Sequence, residues 1–279
     1  MFRDTDLSIA FIGGGHITQA MVCGLLAAGC SAKKILVCTP STQGQKQFIE
    51  EHQVLATGDN SLATRFADVV IIAVKPEKVP LICTEIAEAM LETQQQKLVI
   101  SLAEGVAHAR LREMLCGSNR IICAVPNLAV TLRRGMTGLY ADPDCLFKDT
   151  RTAESLMASL GETLWVQEEM QLADVEATSG SSSAYLYYVL EQMQQIAIEQ
   201  GLSEKEARNS VLQAAWGAIS VAQNSQQSFA ELRQSAVQSK STSKDAIQAL
   251  KDADLPATLR TAMKTVKQET QEKLQTESI

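Results

Sequence analysis

An α/β fold, with a parallel-sheet domain over residues 1–168 and an all-helical domain over 169–279, is predicted by three observations. The first is Leu7 to Gly29, LSIAFIGGGHITQAMVCGLLAAG, where a short apolar run meets three glycines and a helical pattern follows at once. The second is a series of further short apolar runs separated by helical windows. The third is the disappearance of such runs after Gln167.

Ile9 to Ile12 reads as a buried parallel strand. Gly13-Gly14-Gly15 breaks it, Ile17, Met21 and Leu25 share one face of the next helix, and Gly29 ends that helix. A strand, glycine turn and helix in this order form the dinucleotide site of a Rossmann-type domain. Gly13 permits the tight turn, Gly15 lets backbone approach a pyrophosphate, and the free N–H groups at the helix start attract the anion. Thr18 takes the third small position, so helix–strand packing must accept a larger residue.

A second strand, Ile35 to Cys38, ends at Thr39-Pro40-Ser41-Thr42, where such a domain inspects the adenosine ribose. The acidic residue usual for NAD is missing there. Thr39 and Ser41, with Thr42 and Lys46, therefore favour NADP(H), with NAD(H) as the alternative; the same residues also suit a helix cap. Helix 43–53 leads to a loop at Gly58-Asp59-Asn60, and Asp68 to Val74 is the clearest buried strand, closed by Lys75-Pro76. Strand and helix then alternate: helix 77–92, strand 98–102, helix 107–116, strand 120–124, ending at Val125-Pro126-Asn127. Two strands thus end in proline-bearing turns on the edge where an open sheet binds ligands. Strands at 138–141 and 161–166 flank a helix at 147–160. Helices are expected at 170–178, 184–200, 204–223, 228–236, 243–251 and 256–275.

Composition bounds the function. With 279 residues, 46% of them hydrophobic, the chain can build a sizeable core. A net charge of -7 argues against a nucleic-acid partner. No apolar run approaches the ~18 residues of a membrane span, and the N-terminus does not read as a signal peptide. Seven cysteines without CxxC spacing read as reduced thiols of a cytoplasmic protein, and the three scattered histidines suggest no metal site.

The order of motifs resembles the pyrroline-5-carboxylate reductases, the last enzymes of proline synthesis. IAFIGGGHITQAMVCGLL is similar to the family's I-G-F-I-G-x-G-N-M-x-x-A-x-x-x-G-L, and ADVVIIAVKP to its third-strand signature. LVISLAEGV resembles L-V-I-S-x-x-A-G-V, VPNLAVTLRRGMTGLYA resembles M-P-N-T-P-x-x-x-x-G-x-T, and ATSGSSSAYLYYVLE resembles A-x-S-G-S-G-P-A-Y-x-F-x-x-x-E.

The resemblance implies hydride transfer from NAD(P)H to a small cyclic imine, giving proline, in a homodimer built through the helical domain, with a higher oligomer as the alternative. It places Gly13, Gly15, His16 and Ile17 at the pyrophosphate and Asn60 on the adenosine side. Ala73, Val74, Lys75 and Pro76 line the crevice, with Val125, Pro126 and Asn127 at the nicotinamide. Ser179, Gly180 and Ser181 meet the substrate with Ser241, Thr242 and Ser243, and Ser181 and Lys244 are the candidate catalytic residues. No metal is implied. The chain departs from the family at three places: His16 for Asn, SGSSSAY for SGSGPAY, and VQSKSTSK (237–244) for V-T-S-P-G-G-T-T. The last removes the glycines of an anion-binding loop. A related reductase with another substrate, and a non-catalytic relative, are the alternatives this loop raises.

Overall fold

The computed structural model describes residues 7–118, 120–239 and 242–276. Eight strands form one sheet: β1 (Ile9–Ile12), β2 (Ile35–Cys38), β3 (Leu55–Thr57), β4 (Val69–Ile72), β5 (Leu98–Ser101), β6 (Ile121–Pro126), β7 (Gly135–Ala141) and β8 (Gly161–Trp165). Their order is β3-β2-β1-β4-β5-β6-β7-β8, and all neighbours are parallel except β6 and β7. The chain builds outward from β1 to β2 and β3, then crosses back to lay β4 on the other side of β1. That reversal opens a crevice at the carboxyl ends of β1 and β4.

Helices cover both faces of this sheet: α1 (His16–Ala27), α2 (Thr42–His52), α3 (Asn60–Phe66), α4 (Val79–Thr93), α5 (His108–Met114), α6 (Phe147–Ala158) and the short α7 (Leu172–Val175). Alternate strand residues point to opposite faces. Ile9, Phe11, Ile71 and Ile100 therefore pack with Met21, Leu25, Phe48 and Leu156, while Ala10, Ile12, Val70 and Ile72 pack with Ala63, Ile82, Ile86 and Leu111. Two buried layers explain why β1 and β4 are apolar at every position.

Several elements differ from the sequence reading: β6 runs on through Pro126, which pairs with Thr137, so this proline closes the strand itself, and β7 begins at Gly135, ahead of Gly138. The expected loop at Gly58-Asp59-Asn60 lies between β3 and α3, and the Asp59 carboxylate caps α3 by accepting from the Leu62 N–H at 2.9 Å. β4 ends at Ile72, short of Val74. The helix expected at 170–178 is three pieces: a 3-10 turn at Glu169–Gln171, α7, and a π-helical turn at Glu176–Gly180.

The remaining helices are α8 (Ser182–Glu199), α9 (Glu204–Gln223), α10 (Phe229–Ser239), α11 (Thr242–Asp252) and α12 (Leu255–Thr276). Two compact units result. One holds everything up to Ser181 together with the chain from Val266 onward, and the other is Ser182–Thr265. In the second, α8 packs against α9. Gly201, at φ +105°, turns the chain between them, and Ser203 and Glu206 form a capping box at the start of α9.

Candidate active site

The glycine turn is built as the crevice requires. The Gly13 N–H donates to the Cys38 carbonyl (2.9 Å), and the Ala73 N–H donates to Ile12 (2.8 Å), so the turn is gripped from β2 and from the end of β4. Gly13 has φ +114°, and a Cβ there would lie 2.3 Å from the Ala73 carbonyl oxygen. Gly15 has no such constraint: it is exposed, and nothing stands within 4 Å of its Cβ position. It leaves open space in front of α1. No side chain caps this helix and its first turn carries no acidic residue, so its leading N–H groups face that space. These residues fit a pyrophosphate. Thr18 is buried, and its hydroxyl donates to the Gly13 carbonyl at 2.8 Å, so the larger third residue braces the turn.

At the end of β2 the residues divide their work. Thr39 is buried and acts through its backbone, donating to Thr57 (2.9 Å) and accepting from the Gln45 side chain (2.8 Å). Ser41 is exposed and caps α2, accepting from the Gly44 N–H at 3.2 Å, which leaves its hydroxyl proton to be donated elsewhere. The Asn60 amide is engaged on both sides: it accepts from the Cys38 thiol (2.9 Å) and donates to Glu85 (2.6 Å). Burial first, then Asp59 and Glu85, pushes the Cys38 thiol up to about 12, so it stays a donor. Ala73 and Val74 are half-buried after β4, Lys75 is exposed, and Pro76 opens a 3-10 turn.

Beside this crevice, beyond the carboxyl ends of β5 and β6, lies a cleft of about 280 Å³. Ile17, Pro126, Asn127 and Gly180 line it together with Glu104, Glu169, Glu176, Thr270 and Leu274. Asn127 is the joint of this wall. Its amide donates to the Ser179 carbonyl (3.2 Å) and hydroxyl (3.1 Å), and its oxygen accepts from the Ala129 and Met136 N–H groups (3.3 and 3.4 Å).

On the π-helical turn, the Ser181 hydroxyl donates to Glu176 Oε1 at 2.7 Å. Burial pushes the Glu176 carboxyl above its ordinary range, against the pull of that hydrogen bond. Glu169 is raised for the same reason, although the His108 N–H (2.6 Å) and the Cys123 thiol donate to it.

The expected site residues fall in three groups. Gly13, Gly15, His16, Ile17, Thr39, Ser41, Asn60, Ala73, Val74, Lys75, Pro76, Pro126, Asn127, Ser179, Gly180 and Ser181 all belong to the first compact unit. Thr242 and Ser243 begin α11, and Lys244 is exposed on it, in the second unit. Ser241 lies outside the described residues. The three carboxylates of the cleft were missed because no periodicity or motif marks them. The one available signal was that Glu176 stands three residues before Ser179.

Residues 8–105 match the family described as NADP oxidoreductase coenzyme F420-dependent, and residues 169–273 match the family of pyrroline-5-carboxylate reductase dimerisation. Over 256 residues the chain is 34% identical to the pyrroline-5-carboxylate reductase of Vibrio alginolyticus, covering 91% of this chain and 93% of that one. The chain belongs to the pyrroline-5-carboxylate reductase family. A solved pyrroline-5-carboxylate reductase from Coxiella burnetii has the same architecture, with a TM-score of 0.86 at 34% identity, covering 96% of this chain and 98% of that one. The Plasmodium falciparum pyrroline carboxylate reductase, solved with NADP bound, shares the fold at a TM-score of 0.86 and 21% identity, over 97% of this chain and 99% of its own. As a pyrroline-5-carboxylate reductase family member, the chain puts its glycine turn at the first strand and its proline-bearing turn at β6.

Proposed function

We propose that this chain reduces 1-pyrroline-5-carboxylate to L-proline, with NADP(H) preferred over NAD(H), as an oxidoreductase of the C=N bond in proline biosynthesis. The observation that carries the reading is likeness from end to end: 34% identity over 93% of a pyrroline-5-carboxylate reductase, with both regions of the chain matched. When bound, the reduced dinucleotide supplies a hydride to the imine carbon.

The chain's own residues bind, orient and exclude water. Gly13, Gly15, His16 and Ile17 would hold the pyrophosphate at the start of α1. Thr39, Ser41 and Asn60 face the adenosine side, where the lack of a carboxylate on β2's end suits a 2′-phosphate. Ala73, Val74, Lys75 and Pro76 form the crevice wall, and Pro126 and Asn127 bound the nicotinamide side next to the cleft. The substrate falls to Ser179, Gly180 and Ser181, with Ser241, Thr242 and Ser243 taking the part of the family's glycine loop and Lys244 offering a charge to the substrate carboxylate. The imine is reduced in its protonated form, so orientation outweighs proton donation.

The domains we assign are a dinucleotide-binding Rossmann domain at 1–168 and a helical domain at 169–279 through which two copies form a homodimer. Among the described residues no helix is long and apolar enough to cross a membrane. The seven cysteines, all free, suit the reducing cytoplasm to which we assign the protein.

The test follows NADPH absorbance with 1-pyrroline-5-carboxylate, for the native chain and for one rebuilt as Ser-Pro-Gly-Gly-Thr-Thr at 239–244. Turnover by the native chain is expected. Turnover by the rebuilt chain alone would mean that the native protein takes a different substrate.

A further inference from the structure

The π-helical turn Glu176–Gly180 brings one carboxylate to the cleft wall and ties it to the neighbouring hydroxyl. The Ser181 N–H donates to the Glu176 carbonyl at 2.8 Å, the five-residue step of a π turn, and such turns cluster at functional sites. Within this turn the Glu176 carboxylate lies against Gly180 and Ser181. A Cβ on Gly180 would lie 2.1 Å from Glu176 Oε2, so only glycine lets the carboxylate settle there. Glu176 and Gly180 both line the cleft, and Asn127 fastens the same turn to the end of β6 through Ser179.

We propose that Glu176 is a positioning residue of this site, which takes the Ser181 proton into a hydrogen bond so that the Ser181 oxygen accepts the N–H of a protonated cyclic imine, and which sets a negative charge beside that cation. This rests on the function proposed above and adds a residue and a charge preference to it. A hydroxyl has one proton. Donated to Glu176 at 2.7 Å, that proton leaves the Ser181 oxygen only lone pairs to offer a ligand, and an iminium nitrogen offers only an N–H.

The charges around Glu176 leave room for a cation. Glu104, after β5, and Lys273, on α12, face it, and they pair with each other at 2.8 Å. Glu169 lines the same cleft. Burial raises the Glu176 carboxyl, with Ser181 opposing, Glu104 adding and Lys273 subtracting, and a bound cation would draw it down again.

The test measures binding and turnover on the full chain. Calorimetry with NADP⁺ present compares L-proline, whose ring nitrogen is a cation, with cyclopentanecarboxylate, which has no nitrogen. The native chain is expected to prefer L-proline by about tenfold. The preference should weaken as pH falls and Glu176 takes up its proton. Glu176→Gln preserves shape and an acceptor for Ser181 but removes the charge; it should abolish most of the preference and flatten its pH dependence. Ser181→Ala should reduce the preference while leaving the pH trend.

An equal preference in native chain and Glu176→Gln overturns the proposal, as does a native chain that binds neither compound. Thermal melting of Glu176→Gln close to that of the native chain shows that the variant is folded. Preferential L-proline binding without turnover would sink the function proposed above and leave this inference standing. Native turnover with an unaltered Glu176→Gln sinks this inference alone.

Discussion

Two glycines two residues apart in the same turn answer to different constraints. Gly13 is held at φ +114° against the Ala73 carbonyl, whereas Gly15 has an ordinary φ of -78° and empty space at its Cβ position. Gly13→Ala should therefore cost at least about 1 kcal/mol of stability in urea unfolding, with loss of NADPH binding. Gly15→Ala should leave unfolding within about 0.5 kcal/mol of the native chain and still weaken NADPH binding in a fluorescence titration. Equal effects on unfolding would refute the distinction.

Glu169 supplies a pH prediction. Its carboxyl is raised by burial, so the folded chain holds that proton more tightly than the unfolded chain. The resulting stabilisation is complete below the ordinary glutamate range and is lost as pH rises through the raised value. Glu169→Gln keeps an acceptor for the His108 N–H, so it should raise the melting temperature near neutral pH and flatten its dependence on pH. A variant that melts lower at neutral pH with the native slope would contradict this.

Polar joints add to the apolar layers in holding the elements in place. Arg120, just before β6, makes a two-pronged bond to Asp149 of α6, Nε to Oδ2 and Nη2 to Oδ1, both at 2.8 Å, and also donates to the Gln96 carbonyl ahead of β5. Asp149 is only 2% exposed. Removing its partner would strand a buried charge, so Arg120→Met should destabilise the chain by about 3 kcal/mol in urea unfolding. A loss near zero would mean that water reaches Asp149 freely.

Strands buried on both sides were legible because the sequence has to spell them as unbroken apolar runs. β3 was not. It sits at the sheet edge with Leu55 42% exposed, so it needs no such run. α3 escaped because it has seven residues and starts at Asn60, a residue type that also makes turns. Asn127 was legible through its motif, but its bond to Ser179 spans 52 residues and no local pattern announces it.

Taken whole, the molecule has an apolar surplus in its second unit. Tyr187, Tyr188, Trp216 and Phe229 are exposed at 69, 64, 68 and 83%. Surfaces of this kind are usually covered by a partner, and the match to the dimerisation family identifies this part of the chain with pairing. Tyr187→Glu combined with Trp216→Glu should shift the sedimentation coefficient from dimer to monomer and reduce turnover. A double variant that sediments as the native chain does would place the pairing surface elsewhere. The carboxylates of the cleft were illegible for a reason of the same scope: Glu104 follows β5 while Glu169 and Glu176 sit on the short turns either side of α7, and only the finished fold collects them.

The cleft also takes Thr270 and Leu274 from the last part of α12, which belongs with the sheet although Ser182–Thr265 intervenes in the chain. During synthesis the sheet can emerge from the ribosome and begin to fold before the later helices exist. Its cleft, however, lacks a wall until Thr270 and Leu274 have been translated. A nascent chain stalled within the second unit would carry a folded sheet and an unfinished cleft, so the order of translation itself delays the closing of that wall until the helical part has been made.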